Sequence, residues 1–277
     1  MKTDDKLQKI NAIFERGVIV DVLPDKDSFI KALSAEKPLT IYWGFDATCT
    51  ALHLSHAKNF MLLEDFRKMG HKVVALFGDF TARIGDPSDL GSTRQPLTRE
   101  QALHNVSGWK DQVKNLLNFD DPVNPAEIKF NSEWLEKLSL EKFIQLASQT
   151  TVQRMLERDM FHKRMSEGKP IHLHEFLYPL FQGYDSVALN TDVECCGTDQ
   201  TFNALLGRQM VHNEQGREKF CVIVHMMNHP VTGKTTMSKS QKLGVFLDSD
   251  ANDMFGGVMA MPDEMIEMVL LSAQIGE

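Results

Sequence analysis

A chain of 277 residues, 42% hydrophobic and 25% charged, is long enough to bury a substantial core and has an ordinary globular composition. Its formal net charge of −8 excludes a protein whose main task is coating nucleic acid, which needs clustered Lys and Arg; a local basic patch remains compatible. Cys49, Cys195, Cys196 and Cys221 form no CxxC pair and no zinc-ligand spacing, so reduced thiols and no dedicated metal site are expected. No run approaches the roughly 18 to 20 apolar residues of a membrane span, and the opening MKTDDKLQKI lacks the apolar core of a signal peptide. A cytoplasmic protein with no membrane partner is the expectation.

Within residues 4–17, Leu7, Ile10, Ile13 and Phe14 recur at helical spacing and Gly17 supplies a stop. The apolar run at residues 39–43 (LTIYW), bounded by Lys37-Pro38 and Gly44, reads as a buried strand. Residues 55–69 carry Phe60, Leu62, Leu63, Phe66 and Met69 on a helical repeat ending at Gly70, and residues 72–77 read as a second buried strand. Strand, helix and strand in that order, with a loop at 44–54, suit a parallel pair.

Residues 98–165 read as mostly helical, with capping residues at Thr98 and Ser139, and so as an insertion between two halves of a parallel sheet. A helix is expected over 174–190, another over 203–212, and a strand over 220–225 (FCVIVH). The expected fold is α/β, a doubly wound parallel sheet with a helical insertion. Residues 1–247 would form one α/β domain, with the insertion at about 98–165, and residues 248–277 would begin a further helical region.

His53-Leu54-Ser55-His56 lies at a loop-to-helix junction, where imidazole donors and a helix N-terminus both favour anionic oxygens. Taken alone, a pair of structural histidines is the better explanation. Met237-Ser238-Lys239-Ser240 follows the Pro/Gly/Thr-containing stretch from His229 to Gly233, so its lysine and hydroxyls would sit on a loop able to close over a triphosphate. By itself, a solvated basic loop is the better explanation.

Together, and in this order, the two runs resemble the HIGH-like and KMSKS-like elements of class I aminoacyl-tRNA synthetases. The stretch Tyr42-Trp43-Gly44-Phe45-Asp46-Ala47-Thr48 resembles the YxGFDPT segment of the bacterial tyrosyl-tRNA synthetases. Phe80-Thr81-Ala82-Arg83-Ile84-Gly85-Asp86-Pro87 is similar to their T-x-x-IGDP segment. Residues 175–185 (EFLYPLFQGYD) and Gly197-Thr198-Asp199-Gln200 complete a resemblance that runs from about residue 38 onward.

The resemblance implies that residues 1–247 are a Rossmann-like nucleotide-binding catalytic domain, with ATP at the carboxyl ends of the strands where the strand order reverses, and that residues 248–277 are the start of a truncated helical anticodon-binding region. It implies tyrosine activation to tyrosyl-adenylate with release of pyrophosphate, then transfer to tRNA(Tyr) in the complete protein, by a homodimer. Tyr42 and Asp185 would hydrogen-bond the phenolic hydroxyl; Asp86, Tyr178 and Gln182 would hold the ammonium group; Gln200 would lie toward the α-carboxyl side. Gly44, Asp46, His53, His56, Asp199, Ser238, Lys239 and Ser240 would form the ATP site, with Thr48 near the γ-phosphate and Lys239 on the departing pyrophosphate. ATP would enter as its magnesium complex, with no tightly bound cofactor. Independently, the spacing of Tyr178, Gln182 and Asp185 allows all three to share one helix face.

Two substitutions depart from the pattern. Ser55 stands at the usual glycine of the HIGH element, and Thr236 at the first lysine of KMSKS. A synthetase-like tyrosine-binding or adenylylating paralogue with impaired catalysis is the alternative they raise.

Overall fold

In a computed structural model of the protein, residues 3–88, 97–233 and 244–273 are described. The chain begins with α1 (Thr3–Glu15), β1 (Ile19–Leu23), α2 (Lys26–Ser34), β2 (Thr40–Asp46), α3 (Leu54–Lys68), β3 (Lys72–Gly78) and the short α4 (Thr81–Ile84). The middle holds α5 (Arg99–Val106), α6 (Trp109–Val113), β4 (Glu127–Phe130), α7 (Ser132–Leu135), α8 (Leu140–Ala147), α9 (Val152–Leu156) and α10 (Asp159–Ser166). It closes with α11 (Tyr178–Ala188), β5 (Val193–Gly197), α12 (Thr201–Gln215), β6 (Phe220–Val224), α13 (Ala251–Met259) and α14 (Ile266–Ala273).

Helix starts follow their caps. Asp25 accepts from the Ser28 amide at 2.8 Å to open α2, Ser139 accepts from Lys142 at 3.1 Å to open α8, and Thr98 exchanges hydrogen bonds with Gln101 at the start of α5. Each supplies an acceptor to an amide that has no intrahelical partner.

The strands form one six-stranded sheet in the order β1-β6-β5-β2-β3-β4. From β2 the chain winds one way through β3 to β4, and the other way through β5 to β6, with all of these pairs parallel. The order therefore reverses between β2 and β5, and a crevice opens at the carboxyl ends of these two strands. Besides the central strand β5, which the sequence pattern did not announce, two features differ from the sequence expectation. The sheet is not wholly parallel, because β1 adds antiparallel to β6. The 98–165 segment is not purely an insertion, because β4 within it pairs with β3 and becomes the other sheet edge. Both edge strands are short and carry polar residues, so neither shows the continuous apolar run that marks a strand buried on both faces.

The main core packs Phe29, Phe60, Leu63 and Phe66 against the sheet residues Ile41, Trp43, Phe45, Ala75 and Phe77. On the other side α11 and α12 lie against one another through facing glycines. A Cβ built on Gly183 would stand 3.3 Å from the Gly207 Cα. That close approach brings the polar face of α11 down onto β2 and β5.

Candidate active site

Three residues of α11 reach the crevice. The Tyr178 hydroxyl donates to Asp46 Oδ2 at 3.0 Å, and Asp46 Oδ1 accepts from Thr81 Oγ1 at 2.6 Å. A side chain on Gly78 would collide with both Asp46 and Thr81, so the glycine is what permits this contact. Asp46 thus ties the end of β2 to the first residue of α11.

One turn onward, Gln182 donates to Glu194 Oε1 at 3.1 Å and accepts from Asn203 Nδ2 at 2.8 Å. A further turn brings Asp185, which is 3% exposed. Its carboxylate accepts from Trp134 Nε1 at 2.7 Å and from Asn131 Nδ2 at 3.2 Å. Burial pushes its pKa well above the usual carboxylate range, and the nearby Asp46 and Glu194 charges add to the rise against the two donors.

Tyr42 is buried below this row, its hydroxyl 2.8 Å from Ser186 Oγ. Burial raises its pKa, and the charges of Glu194 and Asp185 raise it further, so the phenol stays protonated. Ser186 in turn reaches Glu194 Oε2 at 3.2 Å and accepts from Lys219 Nζ at 2.9 Å. Lys219 and Glu194 form an ion pair that is 0% and 2% exposed.

On the opposite wall, Gln200 Nε2 donates to Asp86 Oδ2 at 2.5 Å, to Ser88 Oγ at 2.9 Å and to Asp199 Oδ2 at 2.8 Å. The Asp86 carboxyl is shifted up by burial, against the hydrogen bonds from Ser88 and Gln200. Asp199 is exposed at the rim, just beyond the end of β5.

His53 caps α3 and His56 lies in its first turn, with ring centroids 3.8 Å apart. The His53 amide donates to His56 Nδ1 at 3.2 Å, which assigns the ring proton of His56 to Nε2. Burial, then the Lys58 charge, lowers His53 to about 4, and burial holds His56 well below its ordinary value. Both imidazoles are neutral donors at neutral pH. Ser55 is buried within the same turn.

Lys58, on the next turn, is buried, donates to Asn59 Oδ1 at 2.8 Å and is lowered to about 8 by burial against the opposing pull of Asp199. The loop before α3 is held from outside: Asn105, Trp109 and Gln112 donate to the carbonyls of Ala47, Cys49 and Thr50 at 2.8, 3.1 and 2.8 Å. Thr48 and Gly44 are exposed beside it, and a side chain on Gly44 would meet no atom within 4 Å.

The chain then returns to the first motif. Leu54 donates to the Val245 carbonyl at 2.9 Å and Leu247 to the Leu52 carbonyl at 2.8 Å. Ser238, Lys239 and Ser240, with Thr236, lie outside the described residues. Sequence reading passed over Lys58, Asn131, Trp134, Glu194 and Lys219, whose roles depend on contacts far along the chain and carry no local pattern.

A family model for tRNA synthetases of class I (W and Y) matches residues 34–272. The chain belongs to this class I synthetase family. Tyrosine–tRNA ligase of Oleidesulfovibrio alaskensis is 47% identical to this chain over 242 residues, covering 87% of this chain and 60% of the relative. The tyrosine–tRNA ligase of Shewanella oneidensis is 44% identical over 260 residues, covering 94% and 64%. The chain thus spans about three-fifths of the length of these curated relatives.

Among solved structures, the C-terminally truncated mitochondrial tyrosyl-tRNA synthetase of Aspergillus nidulans aligns with a TM-score of 0.79 at 22% identity, over 98% of this chain and 83% of that one. The Archaeoglobus fulgidus tyrosyl-tRNA synthetase complexed with L-tyrosine aligns at 0.71 and 18%, over 98% and 81%. At these identities the likeness establishes the class I synthetase fold. Among the described residues no helix is long and apolar enough to cross a membrane.

Proposed function

We propose that this chain activates L-tyrosine with ATP, forming tyrosyl-adenylate and releasing pyrophosphate, and that the complete protein passes tyrosine to tRNA(Tyr). The observation that carries this reading is the convergence of Tyr178, Gln182 and Asp185 from α11 with Asp46, Asp86 and Tyr42 at the reversal between β2 and β5. Similarity to tyrosine–tRNA ligases supports the choice of amino acid.

The carboxylates suit the substrate's ammonium group, with Asp86, Tyr178 and Gln182 taking it. Asp185 and Tyr42 meet the phenolic hydroxyl at the buried end. A site built to pair with a substrate hydroxyl rejects the analogue without it by about 10⁴ to 10⁵, a magnitude drawn from tyrosyl-tRNA synthetases themselves. His53 and His56, as neutral donors at the start of α3, take the phosphates of ATP together with Thr48, while Asp199 takes the ribose. Gly44 and Asp46 line the nucleotide side. Ser238, Lys239 and Ser240 are assigned to ATP by the motif they resemble, with Lys239 stabilising charge on the departing pyrophosphate.

No general base is required. A substrate carboxylate oxygen attacks the α-phosphorus, the bond from that phosphorus to the α–β bridging oxygen breaks, and magnesium pyrophosphate carries the electron pair away. Catalysis rests on alignment and on stabilising charge on the leaving group. Transfer follows when a ribose hydroxyl at the tRNA terminus attacks the activated carbonyl and AMP departs. A homodimer located in the cytoplasm is part of the same proposal. No observation among the described residues favours the impaired alternative.

Tyrosine-dependent ATP–pyrophosphate exchange tests the reading. Exchange that needs tyrosine and is not supported by phenylalanine is expected; folded protein that gives none would overturn it.

A further inference from the structure

Arg158 joins α9 to α10, and it is only 6% exposed. Both terminal guanidinium nitrogens, Nη1 and Nη2, are buried and find no hydrogen-bond partner among the described residues. The guanidinium carbon stands 4.9 Å from the centroid of the Phe202 ring and 5.8 Å from that of Phe161, so two aromatic rings position the plane of the fork. The charged and phenolic groups acting on it are Asp86, Tyr178 and Asp199. Asp86 and Asp199, however, are already engaged by Gln200.

A buried cation whose donors lack partners is costly, and arginine's rigid planar fork matches a carboxylate in bidentate fashion. Its neighbours narrow the ligand further. Asp86 and Tyr178 are assigned to the ammonium group, and Asp199 to the ribose. A carboxylate attached to the same carbon as the ammonium group, and about to meet the α-phosphate, must lie between those two sets of contacts.

We propose that Arg158 binds the α-carboxylate of the amino-acid substrate through Nη1 and Nη2 and orients it for attack on the α-phosphorus. The inference rests on the amino-acid pocket described under the proposed function. Each carboxylate oxygen keeps a lone pair free for attack while the fork holds the group in plane. Arg158 arrives from a segment between two short helices, where its Glu-Arg-Asp setting reads as an ordinary charged turn.

Calorimetric titration of the 277-residue chain with L-tyrosine and with tyramine, which lacks only the carboxylate, tests this. Unaltered protein should bind tyrosine at least about 10-fold more tightly than tyramine. Arg158→Gln should weaken tyrosine by about 10- to 100-fold and leave tyramine within about twofold, so that tyramine also reports an intact pocket. Arg158→Lys, which keeps charge without the fork, should recover part of the loss. Equal affinities for the two ligands in the unaltered protein would overturn the proposal before any variant is made. So would an Arg158→Gln variant that loses both ligands equally, which marks a structural role, or one that loses neither. Unaltered protein that binds neither ligand would remove the pocket reading and this inference with it; tyramine binding without a preference for tyrosine removes the inference alone.

Discussion

Trp134 Nε1 donates to Asp185 Oδ1 at 2.7 Å, joining a short helix beyond β4 to the most deeply buried carboxyl on the polar face of α11. Since Asn131 supplies the other donor, Trp134→Phe should leave Asp185 half supported and free to turn. The ratio of kcat/KM for tyrosine over phenylalanine in pyrophosphate exchange should fall by about 10-fold, as expected for one hydrogen bond to a charged group. Unchanged selectivity would remove Trp134 from the specificity apparatus.

The raised pKa of Asp185 has a sign that can be checked. Its folded form holds a proton that the unfolded chain has released, so its contribution to stability is fullest below the ordinary carboxylate value of 3.8 and is lost as pH rises through the raised one. Asp185→Asn should therefore gain stability relative to the unaltered chain at pH 8 compared with pH 5, while losing tyrosine selectivity. Denaturant midpoints at the two pH values measure the difference; a gain confined to pH 5 contradicts it.

Breaking the Lys219–Glu194 pair should be expensive because both partners are inside. Lys219→Met strands a buried carboxylate, at a cost of about 3 to 5 kcal/mol in urea unfolding. Adding Glu194→Gln should restore most of that stability. Tyrosine binding should nevertheless remain weakened in the double variant, since Glu194 also receives Gln182 and Ser186. A single variant within about 1 kcal/mol of the parent would show that the site is wetter than its burial implies.

His53 gives a second pH signature. Its folded value of about 4 lies below the ordinary 6.5, so the unfolded chain takes up the proton first on acidification. Stability from this group is complete above pH 6.5 and declines as pH falls toward 4. His53→Asn should flatten the dependence of stability between pH 7 and pH 5, a window that largely avoids carboxylate titration. An unaltered slope would mean that His53 is not held neutral.

Lys58, at about 8, loses its charge within an accessible range. If it faces the nucleotide beside Asp199, KM for ATP should rise above pH 8 in the unaltered chain and stay level in Lys58→Arg, because guanidinium does not titrate there. Parallel profiles for the two proteins would exclude it from ATP binding.

Local pattern carries much of this molecule. The strand around residues 39–43, the helix after His56, the strand at 72–77 and the helix bearing Tyr178, Gln182 and Asp185 were all legible, because continuous apolar runs and a 3.6-residue period are properties of adjacent residues. The edge strands β1 and β4 were not. Their only strong reason to be extended is the neighbour each one pairs with, and those neighbours lie far away in the chain.

The same division runs through the site. Sequence alone determined which side chains stand on one helix face and which motifs accompany them, since spacing sets direction within a helix. Only the tertiary structure decided that Trp134 and Asn131 support Asp185, that Lys219 neutralises Glu194 beneath Ser186 and Gln182, and that Arg158 is enclosed with its fork unpaired among the described residues. Those facts arise from burial and from contacts across the sheet, where removing water makes each charge depend on partners distant in sequence.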